Sequence, residues 1–173
     1  MNLKKNKIGI LGGSFDPAHK GHLAISKEAI QRFKLKKVVW AITKKNPFKK
    51  KSSLNLKNRI EICKIILKKI KNIEVKFFED KIKSNKTINL INYFTKNKKN
   101  EIYFIMGADN LINFHKWHKW QTITKKCNII VYDRHGYKKK SLNSKTYKSL
   151  NREKLKFINF NKVNISSSQL RKI

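Results

Sequence analysis

Short apolar runs recur along the chain, set apart by longer stretches whose apolar positions fall three and four residues apart. KIGIL (7–11), KVVWAI (37–42), EIYFIM (101–106) and NIIVY (128–132) have strand length and β-branched or aromatic character. IEVKFF (73–78) alternates and LKFINF (155–160) ends the series, so six strands are predicted. Helices are predicted between them. HLAISKEAIQRF (22–33) sets Leu23, Ala24, Ile30 and Phe33 in a stripe, and NLKNRIEICKIILKKI (55–70) sets Ile62, Ile65, Ile66 and Ile70 on one face. TINLINYF (87–94) and the residues after GADN (107–110) read as further helices. NISSSQLRKI (164–173) offers serines at an N-cap and then an amphipathic turn. Residues 137–154 are polar and weakly patterned, and read as a mobile excursion.

Strand and helix in alternation predict an α/β protein: a Rossmann-like parallel sheet with helices on both faces and right-handed connections. No internal repeat breaks the pattern, so one domain over residues 1–173 is expected. In such sheets ligands lie beyond the carboxyl ends of the strands. GGSFDPAHKGH, TKKNPFK, GADN and NISSS each follow a predicted strand and are expected to meet in one crevice.

Composition narrows the class. Hydrophobic residues make up 39% of the chain, enough for a globular core. No apolar run nears the ~20 residues of a membrane helix, and MNLKKNKIGIL leads straight into a glycine turn, so a first strand is expected and not a signal peptide. A cytoplasmic protein is expected. Cys63 and Cys127 stand among apolar residues without metal or redox spacing and read as small core residues. The formal charge of +33 raises the alternative of a nucleic-acid-binding protein. Only five of the 43 basic residues are arginine, however, and lysine, asparagine and isoleucine are all abundant. That pattern fits a compositional bias spread over solvated faces better than a surface built to read bases, where arginine's planar fork is favoured.

The chemistry concentrates in GGSFDPAHKGH (12–22). Gly12 and Gly13 end a strand, where they permit left-handed backbone and leave room for a ligand. A helix is expected to begin near Lys20 or Gly21, and its free N–H groups suit an anion. His19 and His22 flank that start, and imidazoles there can donate to two oxygens of one polyphosphate. Taken alone, the pair also fits two solvent-exposed histidines or part of a metal site. No cysteine or carboxylate cluster accompanies them, and GGSFDP in front favours phosphate. The phosphate-loop motif GxxxxGK[ST] is absent.

GGSFDPAHKGH resembles the signature of the nucleotidyltransferase superfamily with an HxGH motif. NPFK, FIMGADNLINFHKWHKW, VYDRHGY and NISSSQLR extend the resemblance nearly end to end, and it is to the bacterial nicotinate-nucleotide adenylyltransferases. The resemblance implies transfer of AMP from ATP to nicotinate mononucleotide, giving deamido-NAD and pyrophosphate. Phosphopantetheine adenylyltransferases and cytidylyltransferases are the rivals within the superfamily; the tryptophan segment and ISSS argue against them. The resemblance implies His19 and His22 as catalytic residues. It gives Gly12, Ser14, Phe15, Gly107, Asp109, Ser166, Ser167 and Arg171 to ATP, and Lys49, Thr87, Trp117 and His118 to the mononucleotide. Backbone N–H groups near Trp117 and His118 would take the nicotinate carboxylate. Mg²⁺ is expected to arrive with ATP, held by phosphates and water. Bland readings stand beside these: Asp109 and Thr87 as helix caps, Trp120 as core, and His115 and His118 as surface residues. The sequence departs from the family in having Leu90 where a second threonine is frequent and His135 in place of the proline of an RPG turn.

Overall fold

A computed structural model describes residues 5–45 and 52–160 of the chain. Among the described residues six parallel strands form one sheet: β1 (Asn6–Gly13), β2 (Lys37–Ile42), β3 (Ile73–Phe77), β4 (Asn100–Gly107), β5 (Asn128–Tyr132) and β6 (Leu155–Ile158). Their spatial order is β3-β2-β1-β4-β5-β6, with all neighbours parallel. The order reverses between β1 and β4, which makes their carboxyl ends the switch point where such folds bind ligands.

Period-two alternation sends successive residues to two separate cores. Ile102, Phe104 and Met106 of β4 face one core with Ile129 and Val131 of β5. Tyr103, Ile105, Ile130 and Tyr132 face the other. The first core is covered by α4 (Thr87–Thr95), α5 (Ala108–Asn113) and α6 (Trp120–Lys126), which contribute Ile91, Leu111 and Ile123. The second is covered by α1 (Lys20–Phe33) and α2 (Leu56–Leu67), through Ala29, Cys63 and Leu67. Both cysteines are free and buried, and burial pushes both thiols up to about 12. Among the described residues no helix is long and apolar enough to cross a membrane.

Four details depart from the sequence reading. Ile62 and Ile66 of α2, and Ile70 just beyond it, pack half-buried against the core as expected, but the fully buried stripe runs Arg59–Cys63–Leu67 and Ile65 is 72% exposed. Ile65 stands two residues from both Cys63 and Leu67, about 200° round the helix from each. In α1 the fully buried residues are Ser26 and Ala29, with Ala24 only half-buried. Residues 137–154 are not a loose excursion. They form α7 (Lys138–Leu142) and α8 (Lys145–Ser149), with Ser141 and Thr146 fully buried. These helices need little apolar surface because serines and threonines bury their hydroxyls in local hydrogen bonds, as Ser141 does to the Lys138 carbonyl and Ser144 to that of Ser141. A four-residue helix, α3 (Glu79–Ile82), also stands unpredicted between β3 and α4.

Candidate active site

β1 runs straight through both glycines, which pair with Ala41 and Ile42 of β2. The left-handed residue is Phe15 (φ 47°), not Gly12 or Gly13. A Cβ on Gly12 would lie against the Phe104 ring at 3.4 Å, and one on Gly13 against the Phe15 ring at 3.4 Å, both within ordinary contact distance.

α1 then starts at Lys20 with His19 as its N-cap, the backbone of His19 being extended. The Gly21 N–H donates to His19 Nδ1 (3.1 Å), and the His19 N–H donates to His22 Nδ1 (3.2 Å). This is a capping box built from two imidazoles in place of hydroxyl and carboxylate. It also fixes tautomers, because a ring nitrogen that accepts an N–H carries no proton of its own. Both rings therefore hold their proton on Nε2. The rings lie 3.9 Å apart, and burial, with the Arg134 charge second, lowers the His19 pKa from 6.5 to about 4.

That depression predicts a pH dependence. His19 is neutral in the fold, while the unfolded chain takes up its proton near 6.5, so the contribution to stability is complete above that value. It is lost as pH falls from 6.5 toward about 4. Proton NMR titration is expected to show His19 still neutral at pH 5.5, and Arg134→Gln to raise its pKa part of the way. A His19 titrating at 6.5 or above would contradict this environment.

Two further arms brace the opening loop. The Asp16 carboxylate, 3% exposed, accepts from the Ser53 and Leu54 N–H groups at 2.7 and 3.0 Å. Arg59, 1% exposed, donates to the carbonyls of Ser14, Thr43, Lys44 and Leu54 at 2.6–3.2 Å. The loops after β1 and β2 are thus tied together.

A cavity of about 510 Å³ opens at the carboxyl ends of the strands. That size suits a nucleotide-scale ligand. Gly12, Ser14, Phe15, His19, His22, Thr87, Gly107, Asp109, Trp117 and His118 all line it. Lys49, Ser166, Ser167 and Arg171 lie outside the described residues. Asp109 does not cap α5. Its carboxylate folds back over Gly107, where a Cβ would meet Oδ1 at 2.5 Å. Oδ2 accepts from Arg134 Nη1 at 2.6 Å, while Oδ1 is buried and has no hydrogen-bond partner among the described residues. Thr87 is the first residue of α4, and its side chain makes no cap; Leu90, one turn on, also lines the cavity.

Trp117 follows a 3₁₀ turn at Phe114–Lys116. Its indole makes edge contacts with Phe104 (82°) and Phe114 (66°), which set the plane of the ring. The Trp117 N–H closes that turn onto the Phe114 carbonyl at 2.9 Å, so it is not a donor for a ligand. The His118 N–H makes no hydrogen bond among the described residues. α8 supports the segment: Thr146 Oγ1 accepts the His115 N–H at 3.1 Å. Trp120 is half-buried and packs on Phe114.

Sequence reasoning missed Arg134 as a site residue. It lines the cavity beside Asp109 and Lys116, and the available signal was its place two residues beyond the carboxyl end of β5. Among the described residues no cluster of three or more histidine, cysteine or carboxylate side chains offers a metal cage.

Comparison with known proteins agrees with this arrangement. The family model for cytidylyltransferase-like proteins matches residues 10–173. The probable nicotinate-nucleotide adenylyltransferase of Pelagibacter ubique (strain HTCC1062) is 66% identical over 173 residues, spanning 100% of this chain and 96% of the relative. That of Aliarcobacter butzleri (strain RM4018) is 37% identical over 147 residues, or 84% of this chain and 80% of the relative. In fold, the chain is similar to the Plasmodium falciparum nicotinic acid mononucleotide adenylyltransferase complexed with NaAD. The TM-score is 0.79 at 22% identity, covering 96% of this chain and 83% of that one. The matched motif, the HxGH helix start and the near full-length identity place this chain in the cytidylyltransferase-like family, among the nicotinate-nucleotide adenylyltransferases.

Proposed function

We propose that the cavity binds MgATP and nicotinate mononucleotide side by side and joins them in line. The mononucleotide phosphate oxygen attacks the α-phosphorus of ATP; the new P–O bond forms as the bond to the β-phosphate oxygen breaks, and pyrophosphate leaves. No proton need be removed from an ionised phosphate nucleophile, so catalysis is positioning and charge stabilisation. The observation that carries this reading is the pair of imidazoles at the α1 N-terminus, each with its proton held on Nε2 by a backbone N–H on Nδ1. His19 and His22 thereby present donors to the triphosphate at the positive end of the α1 dipole. Arg134 adds a fixed positive charge. Asp109 Oδ1, buried and unpartnered among the described residues, suits a ribose hydroxyl that donates to it. Mg²⁺ enters on the triphosphate as part of the substrate. Ser166, Ser167 and Arg171 are assigned to ATP, and Lys49 to the mononucleotide phosphate, on sequence alone. The setting is a cytoplasmic one, where ATP is supplied.

At the other end of the cavity, the pyridine ring stacks on Trp117 near Thr87, and the His118 N–H meets the nicotinate carboxylate. An amide in that position turns an NH₂ toward a donor, and a donor left unpaired costs ~1–3 kcal/mol. The expected result is kcat/KM for the acid mononucleotide roughly 10- to 100-fold above that for the amide. Trp117→Ala is expected to weaken both, because stacking does not sense the acid group. Steady-state kinetics with the two mononucleotides test this; equal efficiency would remove the acid selectivity.

A further inference from the structure

Behind the two histidines a chain of buried contacts runs from the cavity wall to Trp40. Trp40, fully buried in β2, donates its Nε1–H to Ser26 Oγ at 2.8 Å. Ser26, fully buried in α1, donates its hydroxyl to the His22 carbonyl at 2.7 Å. The same indole stacks on Phe15, with ring centroids 5.0 Å apart and 17° between planes. Phe15 in turn packs against the His22 imidazole at 4.8 Å. Phe15 and His22 line the cavity; Ser26 and Trp40 do not.

A hydroxyl in the dry face of a helix is costly unless its bonds are made, and here it makes two. Phe15 holds a left-handed backbone, which a bulky residue keeps only where surrounding packing imposes it. Both features meet at Trp40. One arm, through Ser26, grips the first turn of α1 at the His22 carbonyl; the other, through Phe15, presses on the His22 ring.

We infer that Trp40 and Ser26 are positioning residues for His22, setting the direction of its Nε2–H without touching substrate. This rests on the reading that His22 acts on the triphosphate. A displacement of about 1 Å in a reacting group can cost up to 100-fold in rate, so loss of one of the two arms is expected to lower kcat about 10-fold while changing the KM of either substrate little.

The test is a double-mutant cycle. Ser26→Ala and Trp40→Phe are made in the wild-type and His22→Ala backgrounds, with kcat, both KM values and the melting temperature measured for each. In the wild-type background kcat is expected to fall about 10-fold. In the His22→Ala background the same change should lower kcat less than about 2-fold, because the group being positioned is gone. Ser26→Thr, which keeps the hydroxyl, should retain most of kcat. Equal losses in the two backgrounds would mean a general structural effect and overturn the inference. So would a wild-type kcat in both Ser26→Ala and Trp40→Phe while His22→Ala is crippled. Near-normal turnover by His22→Ala itself would instead refute the reading of His22, and the inference with it.

Discussion

His19→Ala and His22→Ala are each expected to lower kcat by roughly 10²–10³, the loss that follows removal of one preorganised donor to a developing negative charge. The KM for the mononucleotide should move far less. The two losses should not simply multiply. The two side chains share one setting: the rings lie 3.9 Å apart, and the His22 ring accepts the His19 backbone N–H while the His19 ring accepts that of Gly21. The double variant is therefore expected to be less impaired than the product of the single losses. His19→Asn keeps a capping side chain at the start of α1 and should fold at least as well as wild type at pH 5, yet remain slow. Rapid-quench or steady-state turnover at saturating substrates measures the effect. Near wild-type kcat in either alanine variant would remove that histidine from the chemistry.

Arg59→Ala is expected to be the most destabilising of the substitutions considered. The guanidinium uses four of its five N–H groups on the carbonyls of Ser14, Thr43, Lys44 and Leu54. Removing it leaves buried acceptors unpaired and a hole between two loops. A buried acceptor without a partner costs ~1–3 kcal/mol, and water entering the hole recovers part of that. The net loss should be about 3–5 kcal/mol, or on the order of 10 °C in melting temperature for a chain of this size. Arg59→Lys keeps the charge but has a compact head that cannot span four carbonyls, and should recover only part of the loss. Urea unfolding monitored by tryptophan fluorescence reads the difference. A change under about 0.5 kcal/mol, as for an ordinary surface site, would contradict the clamp.

Arg59 also shows what the sequence conceals. In NLKNRIEICKIIL it looks like one more cation on the polar side of a helix. Its burial depends on carbonyls from residues 14, 43 and 44, which only the folded loops bring together. Ile65 errs the other way: its hydrophobicity suggested the core, but the stripe is set by Arg59, Cys63 and Leu67, and Ile65 faces water. The strands were legible because central parallel strands are apolar on both faces, and the described ones fall within a residue or two of their apolar runs. The histidines were legible because GGSFDPAHKGH is a local motif whose chemistry lies within one loop and one helix start. The Asp109–Arg134 pair was not, since its members stand 25 residues apart, beyond the carboxyl ends of two different strands. Residues 137–154 looked loose because α7 and α8 bury hydroxyls through short-range bonds, which leave no apolar period to read.

Joining of ATP to nicotinate mononucleotide releases pyrophosphate and leaves a dinucleotide of known mass. The most direct measurement is pyrophosphate release, with the product identified by mass, when the protein is given MgATP or MgCTP and a panel of phosphorylated acceptors. The panel holds nicotinate mononucleotide, its amide, phosphopantetheine and a phosphorylated alcohol. Pyrophosphate and deamido-NAD are expected in equal amounts from MgATP and the acid mononucleotide, with every other pairing slower. Turnover with phosphopantetheine or with MgCTP, and none with nicotinate mononucleotide, would contradict this expectation.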